Sequence, residues 1–214
     1  VQMYPPGEII PNLQLQNAAK AETRGLEVDS VYALTKQSKL TTALALMDSK
    51  FVNFNNSPSF PGQTTAQGAV YSGMLNGAPV YAQNLSGKTM PDAPKLKLTL
   101  GLDQNIEENA ILPVPVRLNA TYAYSTAVQF QADQNPFTRQ GAYGILNLSA
   151  TASLPSGNDT VTLFVNNVTN KFYLVNAEDF FSGLWAANGG ANAVIGQPAR
   201  DAARYFGVRY NHFF

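Results

Sequence analysis

Seven stretches of this chain alternate apolar with polar residues, and several of them hold that alternation for ten or more positions. A period of two means a strand with two unlike faces. Ordinary strands average about five or six residues, whereas a tilted strand needs about ten to cross a bilayer. The clearest is "KLKLTLGLD" (95–103), with Leu96, Leu98, Leu100 and Leu102 on one parity and Lys95, Lys97, Thr99 and Asp103 on the other. Residues 22–34, 39–51, 114–125, 143–154 and 160–167 alternate in the same way, as does the final segment "YFGVRYNHFF".

The connections alternate as well. "TKQS" (35–38), 104–113 and "PSGND" (155–159) are short, while 52–93, 127–142 and 168–204 are longer. Short turns at one end and long loops at the other are the pattern of an outer-membrane barrel, turns in the periplasm and loops outside. Composition agrees. Charged residues make up 13% of the chain, about half the roughly 25% usual for a soluble domain. The 14 Lys+Arg balance the 14 Asp+Glu, so nothing favours nucleic acid or a polybasic membrane contact. No apolar run reaches the length of a membrane helix, which leaves strands as the only means of crossing. Residues 1–6 carry no basic and apolar leader pattern. A soluble antiparallel sandwich also alternates, but strand length and one-sided loops favour the membrane barrel.

Seven antiparallel strands leave the first and last running the same way, so they cannot close a ring. An open edge in lipid leaves backbone groups unsatisfied at several kcal/mol each. Residues 4–11, "YPPGEIIP", hold three prolines and read as a loop leaving an earlier strand that ended near Val1. Residues 1–214 are therefore expected to be one carboxyl-terminal segment of a larger barrel, with further strands before it.

Chemistry is sparse. The chain has no cysteine and a single histidine, His212, on the apolar parity of the last strand. A hydrolytic arrangement needs the imidazole beside a serine and an orienting acid, and His212 reads instead as a residue of the membrane rim. No metal-ligand spacing occurs, so neither an enzyme, a metal site nor a cofactor is expected. Six Asn-x-Ser/Thr matches, among them Asn119 and Asn147, read as ordinary polar strand residues.

The polar parity, Glu27, Asp29, Lys95, Lys97, Asp103, Arg117, Asn147 and Arg209, is expected to face the lumen, where mixed signs suit a plug held by ion pairs and water. The long loops carry Phe54, Phe60, Tyr71 and Tyr81, then Phe180, Phe181 and Trp185. Loop aromatics on a rigid scaffold can bind an apolar or sugar-like ligand, or pack the loops against one another.

Four motifs in order resemble a known family. "NAAKAETRGLEVD" (17–29) resembles a strand entry of the TonB-dependent outer-membrane receptors, and "MPDAPKLKLTLGLD" (90–103) the Pro-x-x-Pro opening of a later strand. "NVTNKFY" (167–173) is similar to the signature that ends their penultimate strand, and "FGVRYNHFF" to the last strand with its terminal Phe. Where the family often has Pro-Arg before that strand, Ala199 here separates Pro198 from Arg200.

The resemblance implies an all-β, antiparallel transmembrane barrel of about 22 strands around a plug, with this chain its last seven or so and with long extracellular loops. It implies a Gram-negative outer membrane and active import of a scarce substrate: an iron-siderophore, haem, cobalamin or an oligosaccharide. A passive porin-like channel or a surface adhesin is the alternative. The implied partners are the plug, TonB, the outer-membrane assembly machinery, the bilayer with its lipopolysaccharide, and the substrate. On this reading Tyr71, Tyr81, Phe180, Phe181 and Trp185 contact substrate, and Glu27, Asp29, Lys95, Lys97, Arg117 and Arg209 face the plug. Phe214 is the residue the assembly machinery reads.

Overall fold

A computed structural model describes residues 2–3, 12–13, 20–75, 78–180 and 193–214. Its largest element is an antiparallel sheet of seven strands in which each strand lies beside its neighbours in sequence. We label them β1 (Lys20–Ala33), β2 (Ser38–Asn53), β3 (Leu96–Ile106), β4 (Val116–Ser125), β5 (Tyr143–Ser153), β6 (Asp159–Asn166) and β7 (Tyr205–His212). All seven expected strands are present, and β2 reaches 16 residues. The described residues form an open sheet rather than a closed ring.

Register carries the alternation across the whole wall. One row joins Tyr32, Leu40, Leu102, Ala120, Leu148, Val165 and Phe206. The adjacent row, on the other face, joins Ala33, Lys39, Asp103, Asn119, Ser149, Phe164 and Gly207. The first row lies in an apolar belt whose side chains stay open to their surroundings, Phe206 at 83% and Val208 at 68%. Such a belt suits hydrocarbon.

The buried apolar residues lie elsewhere. Leu85, Phe130, Tyr173, Ala177 and Ala202 are in the long connections, and Phe51 and Ile145 lie near the ends of β2 and β5 that meet them, so the packed core sits at the loop end of the sheet. Those connections, 54–95, 126–142 and 167–204, are called here the first, second and third excursions. They are more structured than plain loops. The first holds a three-stranded sheet of Ser57–Pro58, Ala78–Gln83 and Val70–Leu75. The second holds the pair Val128–Gln129 with Arg139–Gln140, and the third a hairpin of Leu174–Phe180 with Ala193–Pro198.

The opposite end is built from turns. In 34–37 the Thr35 hydroxyl accepts from the N–H groups of Gln37 and Ser38, at 3.1 and 3.0 Å. In 107–115 Asn109 Oδ1 accepts from Ile111 and Leu112. In 154–158 Gly157 takes a φ of 78°, which only glycine adopts at little cost. Gln2–Met3 pairs with Asn12–Leu13. Residues 4–11, expected to form a loop, lie outside the described residues.

Candidate ligand-binding loops and lumen

The excursions are cross-braced by amide side chains. Gln83 of the first, 8% exposed, donates to the carbonyls of Pro58 at 2.9 Å and Asp133 at 2.7 Å. Gln134 of the second donates to the carbonyl of Thr89 at 3.0 Å, and the Asp92 N–H to that of Gln129 at 2.9 Å. Gln140 accepts from the Leu174 N–H at 2.8 Å, tying the second excursion to the third. At the centre Asn135 and Thr138 are buried. Asn135 Oδ1 caps the short helical turn Pro136–Thr138 by accepting from the Phe137 N–H, and its Nδ2 donates to Asp179. Amides supply both a donor and an acceptor without the cost of burying a charge. The three excursions thus act as one polar-pinned cap.

The third excursion leaves the wall through the segment "NVTNKFY". Asn167 is fully buried at a φ of 50°, and its amide donates to the carbonyls of Lys171 and Asp201 while its oxygen accepts from the Lys171 N–H. Asn147 of β5 accepts from the Asn167 N–H at 2.8 Å. Tyr173 stacks on Tyr143 with ring centroids 4.3 Å apart, and its hydroxyl donates to the Asp201 carboxylate. Burial first, then that hydrogen bond, raises the Tyr173 phenol well above its ordinary value. This motif is a joint rather than a ligand site.

Among the expected ligand-contacting aromatics, Tyr71 and Tyr81 meet edge-on at 6.2 Å across their hairpin, with Tyr71 56% exposed. Phe180 ends its strand, and its side chain lies outside the described set; Phe181 and Trp185 lie outside the described residues. Phe54 does not face outward alone: it packs on Phe51 at 5.0 Å. Sequence reading missed Gln83, Asp133, Asn135, Asp179 and Asp201. For the first hairpin a signal was present, since Asn76-Gly77 separates two short apolar runs and that dipeptide favours tight hairpin turns.

The polar parity does share one face. Glu27, Ala45, Lys97 and Ser125 form one row, and Asn105, Arg117, Thr151, Thr162 and Arg209 another. Asp103 is the hub of the face. It accepts from Arg117 Nε at 3.0 Å and Nη2 at 2.5 Å and from Asn119 at 3.2 Å, with Lys39 at 3.7 Å. Arg117 is thereby engaged by the wall itself. Arg209 lies 5.7 Å from the centre of the Phe164 ring. That ring covers Gly207, where an added Cβ would come within 2.7 Å of it. Glu27, Asp29, Lys95 and Lys97 join no salt bridge among the described residues.

His212 has an acid after all. Its Nδ1 lies 2.7 Å from Asp159 Oδ1, which also accepts from the Tyr210 hydroxyl at 2.5 Å. Ser156 donates to the other oxygen of Asp159 at 2.5 Å, so the serine meets the acid and not the imidazole. The group fastens the end of β7 to the start of β6. Phe213 and Phe214 lie beyond β7, not within it: β6 begins only at Asp159, so the ladder runs out. Only the Phe213 N–H, donating to Asn158 at 2.8 Å, prolongs the pairing. Phe214 sets its ring edge-on to His212 at 4.7 Å.

No curated protein matches the chain. Among the solved structures that share its fold are three receptors. The ferric yersiniabactin uptake receptor FyuA from Yersinia pestis aligns at a TM-score of 0.63 and 14% identity, covering 94% of this chain and 25% of its own. The siderophore receptor PiuA from Acinetobacter baumannii gives 0.59 and 17%, covering 90% and 22%. BauA, the ferric preacinetobactin receptor from the same organism, gives 0.52 and 14%, also covering 90% and 22%. The chain therefore spans about a quarter of the length of these proteins. The family described as TonB dependent receptor-like, beta-barrel matches residues 2–170, which take in β1 to β6 and the first two excursions whole. With its wall accounted for on those terms, the chain belongs to the family of TonB-dependent receptor β-barrels of the Gram-negative outer membrane.

Proposed function

We propose that this chain is the carboxyl-terminal part of the barrel of an importer that takes up ferric siderophores, with transport energised through TonB and gated by a plug. The observation that carries the reading is the joint one: membership of the family over residues 2–170, and a fold shared over at least 90% of the chain with three siderophore receptors. The structured excursions support it, because a cross-braced cap can present aromatic side chains in fixed places at low entropic cost. In this reading Tyr71, Tyr81, Phe180, Phe181 and Trp185 contact the ligand. Glu27, Asp29, Lys95, Lys97, Arg117 and Arg209 face the plug, and Phe214 guides assembly.

The test is uptake of radiolabelled ferric siderophores by cells making the full-length receptor as their only such protein, with TonB present or deleted. Accumulation should require both the receptor and TonB, and binding to the cell surface should require the receptor alone. Uptake that persists without TonB would leave a passive channel as the better account. Absence of binding to any ferric siderophore would remove the substrate class.

A further inference from the structure

Strands β6 and β7 are joined by the long third excursion, so no tight turn sets their register. Their ladder runs from Asp159 opposite His212 to Asn166 opposite Tyr205. Alternation does not select that alignment either. A slip of two residues keeps each side chain on its own face and remakes the backbone hydrogen bonds. It also sets apolar groups against apolar ones, since Leu163 would face Phe206 or Tyr210 in place of Val208. The slip still matters. β7 ends the wall, and its stagger has to match that of the strand that closes the ring, or backbone groups are left unpaired in hydrocarbon.

One contact reads the register in the middle of the ladder. Phe164 lies directly opposite Gly207, and its ring covers the glycine: a Cβ there would come within 2.7 Å of Cζ and 3.1 Å of Cε1. The neighbours of Gly207 on the same face bound the ring along β7. Tyr205 meets it edge-on with centroids 6.1 Å apart, and the Arg209 guanidinium stands 5.7 Å from its centre. β7 has no other glycine, so this seat exists in one alignment alone. Two residues either way, Phe164 would lie opposite Tyr205 or Arg209, and their Cβ atoms would close the seat.

We propose that Phe164 and Gly207 form a register key for the closing strand, the ring settling where glycine leaves room and so selecting one of the alignments that alternation allows. A glycine inside a strand by itself weakens the strand, and an aromatic ring laid over it both offsets that loss and pins the register. The ties at the two ends of the ladder are of another kind. At one end the Arg204 N–H donates to Asn170 Oδ1 at 2.9 Å, and at the other Asp159 accepts from Tyr210 at 2.5 Å and lies 2.7 Å from His212 Nδ1. Between them Asn211 donates to Thr160 at 3.3 Å. These contacts are polar and hold the strands together, whereas the key tests shape.

The experiment separates the key from those ties. The full-length receptor, in a background without other cysteines, carries one of three cysteine pairs. Leu163→Cys with Val208→Cys reports the native register, and Leu163→Cys with Phe206→Cys or with Tyr210→Cys reports the two slips; facing residues of neighbouring strands are close enough to bridge. Oxidation of outer membranes with copper phenanthroline should cross-link the first pair alone in the wild type. Phe164→Ala should make a slipped pair cross-link as well. Gly207→Val should lose folded receptor, read by heat-dependent gel mobility. Adding Phe164→Ala to Gly207→Val should restore the folded amount, because the clash is gone, and should leave the cross-links as mixed as with Phe164→Ala alone. Cross-linking of the native pair alone in Phe164→Ala overturns the key. So does full folding of Gly207→Val with Phe164 in place, or a double variant that folds no better than Gly207→Val.

Discussion

At the scale of single residues, the two faces of the wall ask opposite things of a side chain. Leu102 stands in the belt row with Leu40, Ala120 and Leu148, whereas Lys97 shares a row of the opposite, polar face with Glu27 and Ala45. We expect Leu102→Arg to cost about 2–4 kcal/mol of stability in lipid if the row lies near the midplane, and Lys97→Ala to cost far less. Equilibrium unfolding of the full receptor in bilayers measures both, and the reverse ranking would mean that the faces are exchanged. The side chains that organise the cap follow a different rule. Asn167 is buried because its side chain satisfies three backbone groups at once, and Asn135 because it caps the Phe137 N–H while its amide holds Asp179. The segment "NVTNKFY" marks Asn167, whereas Asn135 reaches its Asp179 partner across 44 residues and its local sequence does not announce that contact.

At the scale of elements, the strands were legible and the excursions were not. A strand that faces lipid on one side and water on the other must alternate along its whole length. That constraint is local, so "KLKLTLGLD" predicts β3 to within a few residues at each end. The excursions obey no such rule: Gln83 meets Asp133 across 50 positions and Gln134 meets Thr89 across 45. Only the assembled wall brings those segments together. The last strand joins both cases, being alternating but fastened at its end by Asp159, Tyr210 and His212. Phe214 adds only an edge-on contact to His212. Removing Phe214 should therefore lower the amount of folded receptor reaching the outer membrane while leaving ligand affinity per inserted molecule unchanged. Counting surface-exposed receptor beside equilibrium binding separates the two. Normal folded levels would deprive Phe214 of its part in assembly.

At the scale of the whole molecule, all three short turns lie at one end of the sheet and all three excursions at the other. If the excursions face outward, a cysteine introduced at Gln67 should react with an impermeant reagent on intact cells, and one at Gln37 only after the outer membrane is opened. Labelling at Gln37 alone would invert the orientation. The order of the wall has one more consequence, and it is mechanical. Because β1 to β7 are joined strictly to their chain neighbours, a pull on the carboxyl end loads one ladder at a time. Strand β7 would peel from β6 first, and the wall would then come apart in reverse chain order, like a zip. The excursions run against that sequence, since their amide braces join parts of the chain that the zip would open at different moments. Tension applied at one end would thus meet its first distributed resistance in the cap rather than in the wall.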